Sequence, residues 1–317
     1  MKHFHFCSAA LCVLSLAMLF SLSACQKAID EDLSSTPTMP QGTPAKVIFT
    51  IDGFTQSHEP SSAKHLSSPR TPVTRAGAAA VKDVVKRIDF IVFYGSEVAF
   101  QAHQTNEDAD FGTLTANLTP GDYSIVAVAH NGQQEAIIST PTKITFNGNH
   151  LSDTFAYGGN VTVTDNDTGH NLTLRRAVAC FRLKTTDAIP DTVAQMKFYY
   201  LQGSSTLNPV TLQGTANSKQ TEVFNISQDQ HGRVGQWDVF TFPKATDGTG
   251  KLVVQVQALD KSGNVVYEKL FSDADIERGY RTVYTGNFFG GTTAAQGGGF
   301  QVGLEEVEWK DKPNVTY

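Results

Sequence analysis

Asp122–His130 reads DYSIVAVAH. In an extended chain Tyr123, Ile125, Ala127 and Ala129 lie on one face, and Ser124, Val126, Val128 and His130 on the other. Both faces are largely apolar. A strand with one wet face alternates apolar with polar residues, so this one reads as a central strand covered on both sides. Pro120-Gly121 before it forms a tight turn, and Asn131-Gly132 closes it.

The same grammar extends in both directions. Ala45–Phe54 (AKVIFTIDGF) places Val47, Phe49 and Ile51 on one face. VVKRIDFIVFYG, SEVAFQAH and GTLTANL precede the central strand, and KITFN, DTFAYGG, NVTVTD and the long run NLTLRRAVACFRLKT follow it. After Ile189-Pro190-Asp191 come VAQMKFYYLQ, TLNPVTLQG, TEVFNIS, QWDVFTF, KLVVQVQALD, NVVYEKLF, YRTVYTGNFFG and FQVGLEEVEW. Leu252, Val254, Val256 and Ala258 share a face, and Lys261-Ser262-Gly263 joins their strand to the next as a hairpin. No amphipathic stretch exceeds about 12 residues, so helix is minor and the class is all-β. Many short strands separated by turn residues predict β-sandwiches.

With 317 residues, 40% of them hydrophobic, the chain has material for a real core and for two such units. The expected organisation is 1–24 leader, 25–44 flexible tether, 45–186 first sandwich with a long exposed loop at 55–80, and 187–317 second sandwich. The loop (TQSHEPSSAKHLSSPRTPVTRAGAAA from Thr55) has no periodicity and exposes Arg70 and Arg75 to proteolysis. A net charge of -6 argues against nucleic acid as a partner.

In residues 1–24 a single Lys2 precedes an apolar block from Phe4 to Leu22. Its ending, Leu22-Ser23-Ala24-Cys25, is similar to the bacterial lipobox, with cleavage between Ala24 and Cys25. The Cys25 thiol becomes a thioether to diacylglycerol and carries further acyl groups such as palmitate, and two or more chains hold a protein stably in a bilayer. Asp30-Glu31-Asp32 close behind resembles the surface-export signal of some Gram-negative lipoproteins. Cys7 and Cys12 leave with the leader. Cys180, in RRAVACFRL, is then the one remaining thiol and reads as a small buried hydrophobe.

Catalytic and metal-binding patterns fare poorly. The nine His are scattered and form no H-x-x-H or H-E-x-x-H spacing. Asp165-Asn166-Asp167-Thr168-Gly169-His170 has part of a calcium-loop pattern but lacks the third acid and the closing Glu, so it reads as a turn. Asp247-Gly248-Thr249-Gly250-Lys251 lacks the first Gly of a phosphate loop and leads into a strand, so it reads as a hairpin turn. No G-x-S-x-G and no Ser/His/Asp set emerges. The expectation is a protein without enzymatic activity, cofactor or metal. Trp237 and Trp309 are candidates for sugar stacking, although strand positions favour the core or a sheet edge.

Leu118-Thr119-Pro120-Gly121-Asp122-Tyr123 resembles the L-x-P-G-x-Y element of transthyretin-like sandwich domains. Further blocks narrow the resemblance: Leu174–Ala179 (LRRAVA), Ile189-Pro190, Ser205-Thr206-Leu207, Asn217–Gln220 (NSKQ), Val239–Pro243 (VFTFP), Ala258–Asn264 (ALDKSGN), Arg281–Phe289 (RTVYTGNFF) and Glu308-Trp309. In order and spacing these are similar to the FimB-type fimbrial subunit family of lipoproteins, found in protease-assembled pili of Gram-negative anaerobes. The resemblance implies two tandem transthyretin-like β-sandwich domains and a place in a fimbria, with other fimbrial subunits as partners. It implies a lipid anchor in the outer membrane at the cell surface. It further implies assembly by strand addition, in which an Arg-specific protease removes an N-terminal segment and another subunit's strand fills the groove. Arg75-Ala76 is the candidate processing site here, whereas anchor subunits keep their lipid. The alternatives are a shaft or tip subunit cut at Arg75, and a surface module that binds glycan, host protein or another bacterial ligand.

Overall fold

The computed structural model describes residues 38–55, 81–290 and 301–306, the last stretch as backbone. These residues all fall within one compact unit, Pro37–Tyr317. The leader, Cys25 and most of the tether lie outside the described residues, as does the 55–80 loop beyond Thr55.

The largest sheet has seven strands, numbered here in chain order. From one end to the other they are β3 (Glu97–Thr105), β2 (Arg87–Tyr94), β5 (Gly121–His130), β8 (Thr154–Val163), β9 (Gly169–Arg176), β1 (Ala45–Thr55) and β4 (Thr113–Leu118). A short helix, α1 (Val81–Val84), leads into β2. The sheet curls far enough that its end strands, β3 and β4, approach each other. One core fills the concave side: Val47, Phe49, Ile51, Ile88, Phe90, Leu114, Ile125, Phe155 and Leu174 are among its buried members.

β5 is central, as its two apolar faces require, with β2 on one side and β8 on the other. Tyr123, Ile125, Ala127 and Ala129 point into the concave core. Val126 and Val128 point the opposite way, into a second core. That core is capped by a small sheet of β6 (Ala136–Thr140), β7 (Lys143–Phe146), β12 (Leu207–Asn208) and β13 (Gln213–Gly214). Leu207, Leu212 and Phe242 from later in the chain thus pack beside Val126 and Val128.

Two four-stranded sheets form a β-sandwich around a third core. One is β15 (Val234–Thr241), β10 (Ala179–Ala188), β18 (Tyr280–Gly286) and β19 (Gln301–Glu306). The other is β14 (Gln220–Asn225), β11 (Gln195–Leu201), β16 (Thr249–Leu259) and β17 (Val265–Glu277). Leu252, Val254, Val256 and Ala258 do share a face, and all are buried against Phe181, Phe198 and Trp237.

Three local readings change. NLTLRRAVACFRLKT is two strands, because Ala177-Val178 breaks the run and the halves join different sheets. Among the described residues β10 pairs only with strands later in the chain, so the switch between sheets precedes the expected 186/187 boundary. DTFAYGG and NVTVTD are one continuous strand, β8. At its centre Gly158 admits the Pro209–Val210 backbone, which a Cβ there would meet at 2.8 Å.

Candidate functional site

β1 is the strand that strand addition would exchange. Its alternation buries Val47, Phe49 and Ile51 completely or nearly so, while Lys46 and Asp52 are exposed. The Phe49 ring lies 5.1 Å from Phe90 and stacks on His170 at 5.5 Å. Phe54 meets Phe155 edge-on at 4.9 Å. On one side β1 runs antiparallel to β4, from Ala45 opposite Leu118 to Thr50 opposite Thr113. On the other it runs parallel to β9, with a bulge at Asp52, whose carboxylate accepts the Thr173 hydroxyl at 2.9 Å. Gly169 opens β9 against β1, and any Cβ there would stand 2.5 Å from the Ile48 carbonyl oxygen. The N-terminal strand of the unit therefore sits one place in from the end of the sheet. It is wedged between two strands that do not otherwise pair, and β4 closes the sheet beyond it.

β4 is held at both ends. The Gln104 side chain on β3 donates to the Asp110 and Thr113 carbonyls at 3.2 and 3.0 Å and accepts from the Gly112 N–H at 3.0 Å. After the far end of β4, the Tyr123 hydroxyl donates to the Thr119 carbonyl at 2.8 Å. This is the physical content of the L-T-P-G-D-Y element: the buried Tyr reaches back and fixes the turn that precedes it.

A polar cluster missed in the sequence sits on the same sheet. Asp89 on β2 is wholly buried, and its carboxylate accepts from three N–H groups: His103 Nδ1 at 2.7 Å, His130 Nε2 at 3.0 Å and the Ala136 backbone at 2.8 Å. His130 Nδ1 in turn accepts the Gly132 N–H at 3.1 Å, which leaves Nε2 as the ring nitrogen facing Asp89. Burial pushes the Asp89 pKa up, but the bonds from His130, His103 and Ala136 outweigh it and hold the carboxyl below its ordinary value. Three strands and the start of β6 converge on one anion. Strand register brings these residues together, and spacing along the chain gives no sign of it. Beside the cluster, His130, Glu135, Phe146, His150 and Leu151 help line a shallow cavity of about 140 Å³.

Cys180 is buried at 1% exposure, and burial pushes its thiol pKa far up, so it is the core hydrophobe expected. Asp167 accepts from Gly169 N and His170 Nε2, which makes the calcium-like stretch a self-contained turn. Asp247 accepts from Thr249 N and Oγ1, and Gly248 takes φ +81°, which makes the phosphate-like stretch a hairpin turn. Trp237 is 5% exposed and packs near Phe198, so it offers no stacking platform. Among the described residues no three His, Cys, Asp or Glu side chains converge as a metal site. Ala24, Cys25, Arg75, Ala76 and Trp309 lie outside the described residues.

Residues 133–307 match a family described as a family of unknown function, DUF6562. No curated protein matches the sequence. Among solved structures, a candidate adhesin from Bacteroides ovatus is similar over 82% of this chain and 92% of its own, at 11% identity and a TM-score of 0.46. A fimbrial assembly protein from Parabacteroides distasonis is similar over 83% and 96%, at 11% identity and a TM-score of 0.40. The fimbrial anchor protein Mfa2 from Porphyromonas gingivalis is similar over 76% and 90%, at 10% identity and a TM-score of 0.39. At these scores the likeness is distant.

Proposed function

We propose a structural role for this chain, which belongs to the family of unknown function DUF6562. It is a subunit of a bacterial surface fimbria, held in the outer membrane by acyl chains on Cys25 and joined to other subunits by β-strand addition. Its two runs of strands, which meet at the Ala177-Val178 change of sheet, act as tandem transthyretin-like units along the fibre.

The observation that carries this reading is the seat of β1. Strand addition needs a strand whose place in the sheet another chain's segment can take, with main-chain hydrogen bonds for affinity and alternate side chains for register. β1 has both. It is laddered on its two edges to β4 and β9, and it drives Val47, Phe49 and Ile51 into the core. The resemblance to lipid-retaining fimbrial subunits favours an anchor that keeps β1 in place. The second reading, a shaft or tip subunit, is favoured by the position of Arg70 and Arg75 between β1 and α1. A cut there leaves β1 attached to the fold by non-covalent bonds alone.

Intact-mass spectrometry of the protein purified from its own cells separates the two. The expected mass is that of a chain beginning at acylated Cys25. A chain beginning at Ala76 assigns the shaft or tip role instead, and an unacylated chain retaining residues 1–24 removes the lipoprotein reading altogether.

A further inference from the structure

A strand can be exchanged only if its seat survives its departure. β9 keeps β8 as a neighbour when β1 leaves, but β4 keeps none, since among the described strands β1 is the one it ladders with. Six residues at the end of a sheet, without a ladder partner, would fray. The Gln104 and Tyr123 bonds to either end of β4 are independent of β1. Gln104 is 8% exposed and Tyr123 is 2% exposed, so water competes weakly for these bonds. Between the two attachments Leu114, Ala116 and Leu118 are anchored in the core.

We infer that Gln104 and Tyr123 are positioning residues that hold β4 in place when β1 is absent, so that its seat persists as an open slot for another subunit's strand. This rests on the strand-addition reading in its shaft or tip form, in which β1 departs. The slot takes an extended segment with apolar residues at three alternate positions and an aromatic in the middle, as Val47, Phe49 and Ile51 provide. Its direction is parallel to β9 and antiparallel to β4.

The test uses the full chain with a recognition site for a sequence-specific protease placed within residues 56–80. After cutting, β1 is removed by gel filtration in mild denaturant, and a labelled synthetic peptide of residues 45–55 is added back. The parent is compared with a Gln104→Leu, Tyr123→Phe double variant by peptide affinity and by hydrogen exchange of amides 113–118. The expected result is about tenfold or more weaker peptide binding in the cut variant, since several hydrogen bonds are lost. Amides 113–118 should also exchange at least about tenfold faster in the cut, peptide-free variant than in the cut parent. In the uncut proteins the difference should be much smaller, because the β1 ladder shelters β4. A role in general stability alone would move cut and uncut proteins alike. Equal exchange in the two cut proteins overturns the inference. If the cut parent binds no peptide, the strand-addition reading fails, while the exchange comparison still decides what Gln104 and Tyr123 do. Should the double variant not fold, Tyr123→Phe, which removes one oxygen atom, carries the same comparison.

Discussion

Phe49→Ala is expected to lower the stability of the intact chain by about 3–5 kcal/mol, the usual cost of truncating a buried phenylalanine. The ring has no exposed surface and lies between Phe90 and His170 at ring separations of 5.1 and 5.5 Å. Leu114 stands opposite it on β4, and His170 opposite it on β9. Removing the ring leaves a cavity shared by three strands that cannot collapse without shifting the β1 ladder. For a chain of this size the change corresponds to a fall of about 5–8 °C in Tm. Thr50→Ala, one residue along and on the other face, should cost less than about 1 kcal/mol. Equal effects from the two substitutions in a urea titration would show that β1 is not seated as described. In the cut chain Phe49→Ala should also weaken re-association of β1, since the same side chain is the largest fully buried one on the strand.

Asp89→Ala is expected to cost about as much, roughly 3–5 kcal/mol, for a different reason. The substitution leaves the N–H groups of His130 and Ala136 buried without their acceptor, and His103 without its own. Asp89→Asn preserves volume but turns an amide toward N–H donors, so it should recover only part of the loss. The pH dependence follows from the depressed Asp89 pKa. A carboxyl whose native pKa is below its unfolded value contributes stability that is fully present above the ordinary carboxylate range. That contribution is lost as pH falls through the native value. The urea midpoint of the parent should therefore drop between neutral pH and about pH 3, and the Asp89→Asn chain should show a flatter acid limb. Parallel limbs for the two proteins would mean that Asp89 carries no such charge in the native state.

Much of the fold was legible because side-chain alternation reports burial on each face directly. Asp122–His130 announced a central strand, and Ala45–Phe54 and the Leu252–Ala258 face were readable on the same basis. What stayed hidden depended on partners distant in sequence. The break at Ala177-Val178 was invisible because no Gly or Pro marks the change of sheet. β6 went unread because AIIST is short and its Ile137 faces solvent. Tyr123 was recognisable from its motif, while its hydroxyl's target was not. Gln104 and the Asp89–His103–His130 cluster left no pattern at all, since each depends on which residues the register of β2, β3 and β5 sets side by side.

The parallel pairing of β1 with β9 also sets a timetable. Ile48 finds its partner Gly169 roughly 120 residues further along the chain, a long-range closure of the kind that slows β-rich proteins. The first of the described strands to be synthesised is therefore locked late, and until β9 exists its Val-Ile-Phe-Thr-Ile run has only β4 to pair with. Over that interval it is a sticky, unguarded segment, open to a holdase, to a neighbouring nascent chain, or to the wrong edge of its own sheets. Refolding traces followed by exchange labelling should accordingly show the β2–β5–β8 ladders protected first and β1 last.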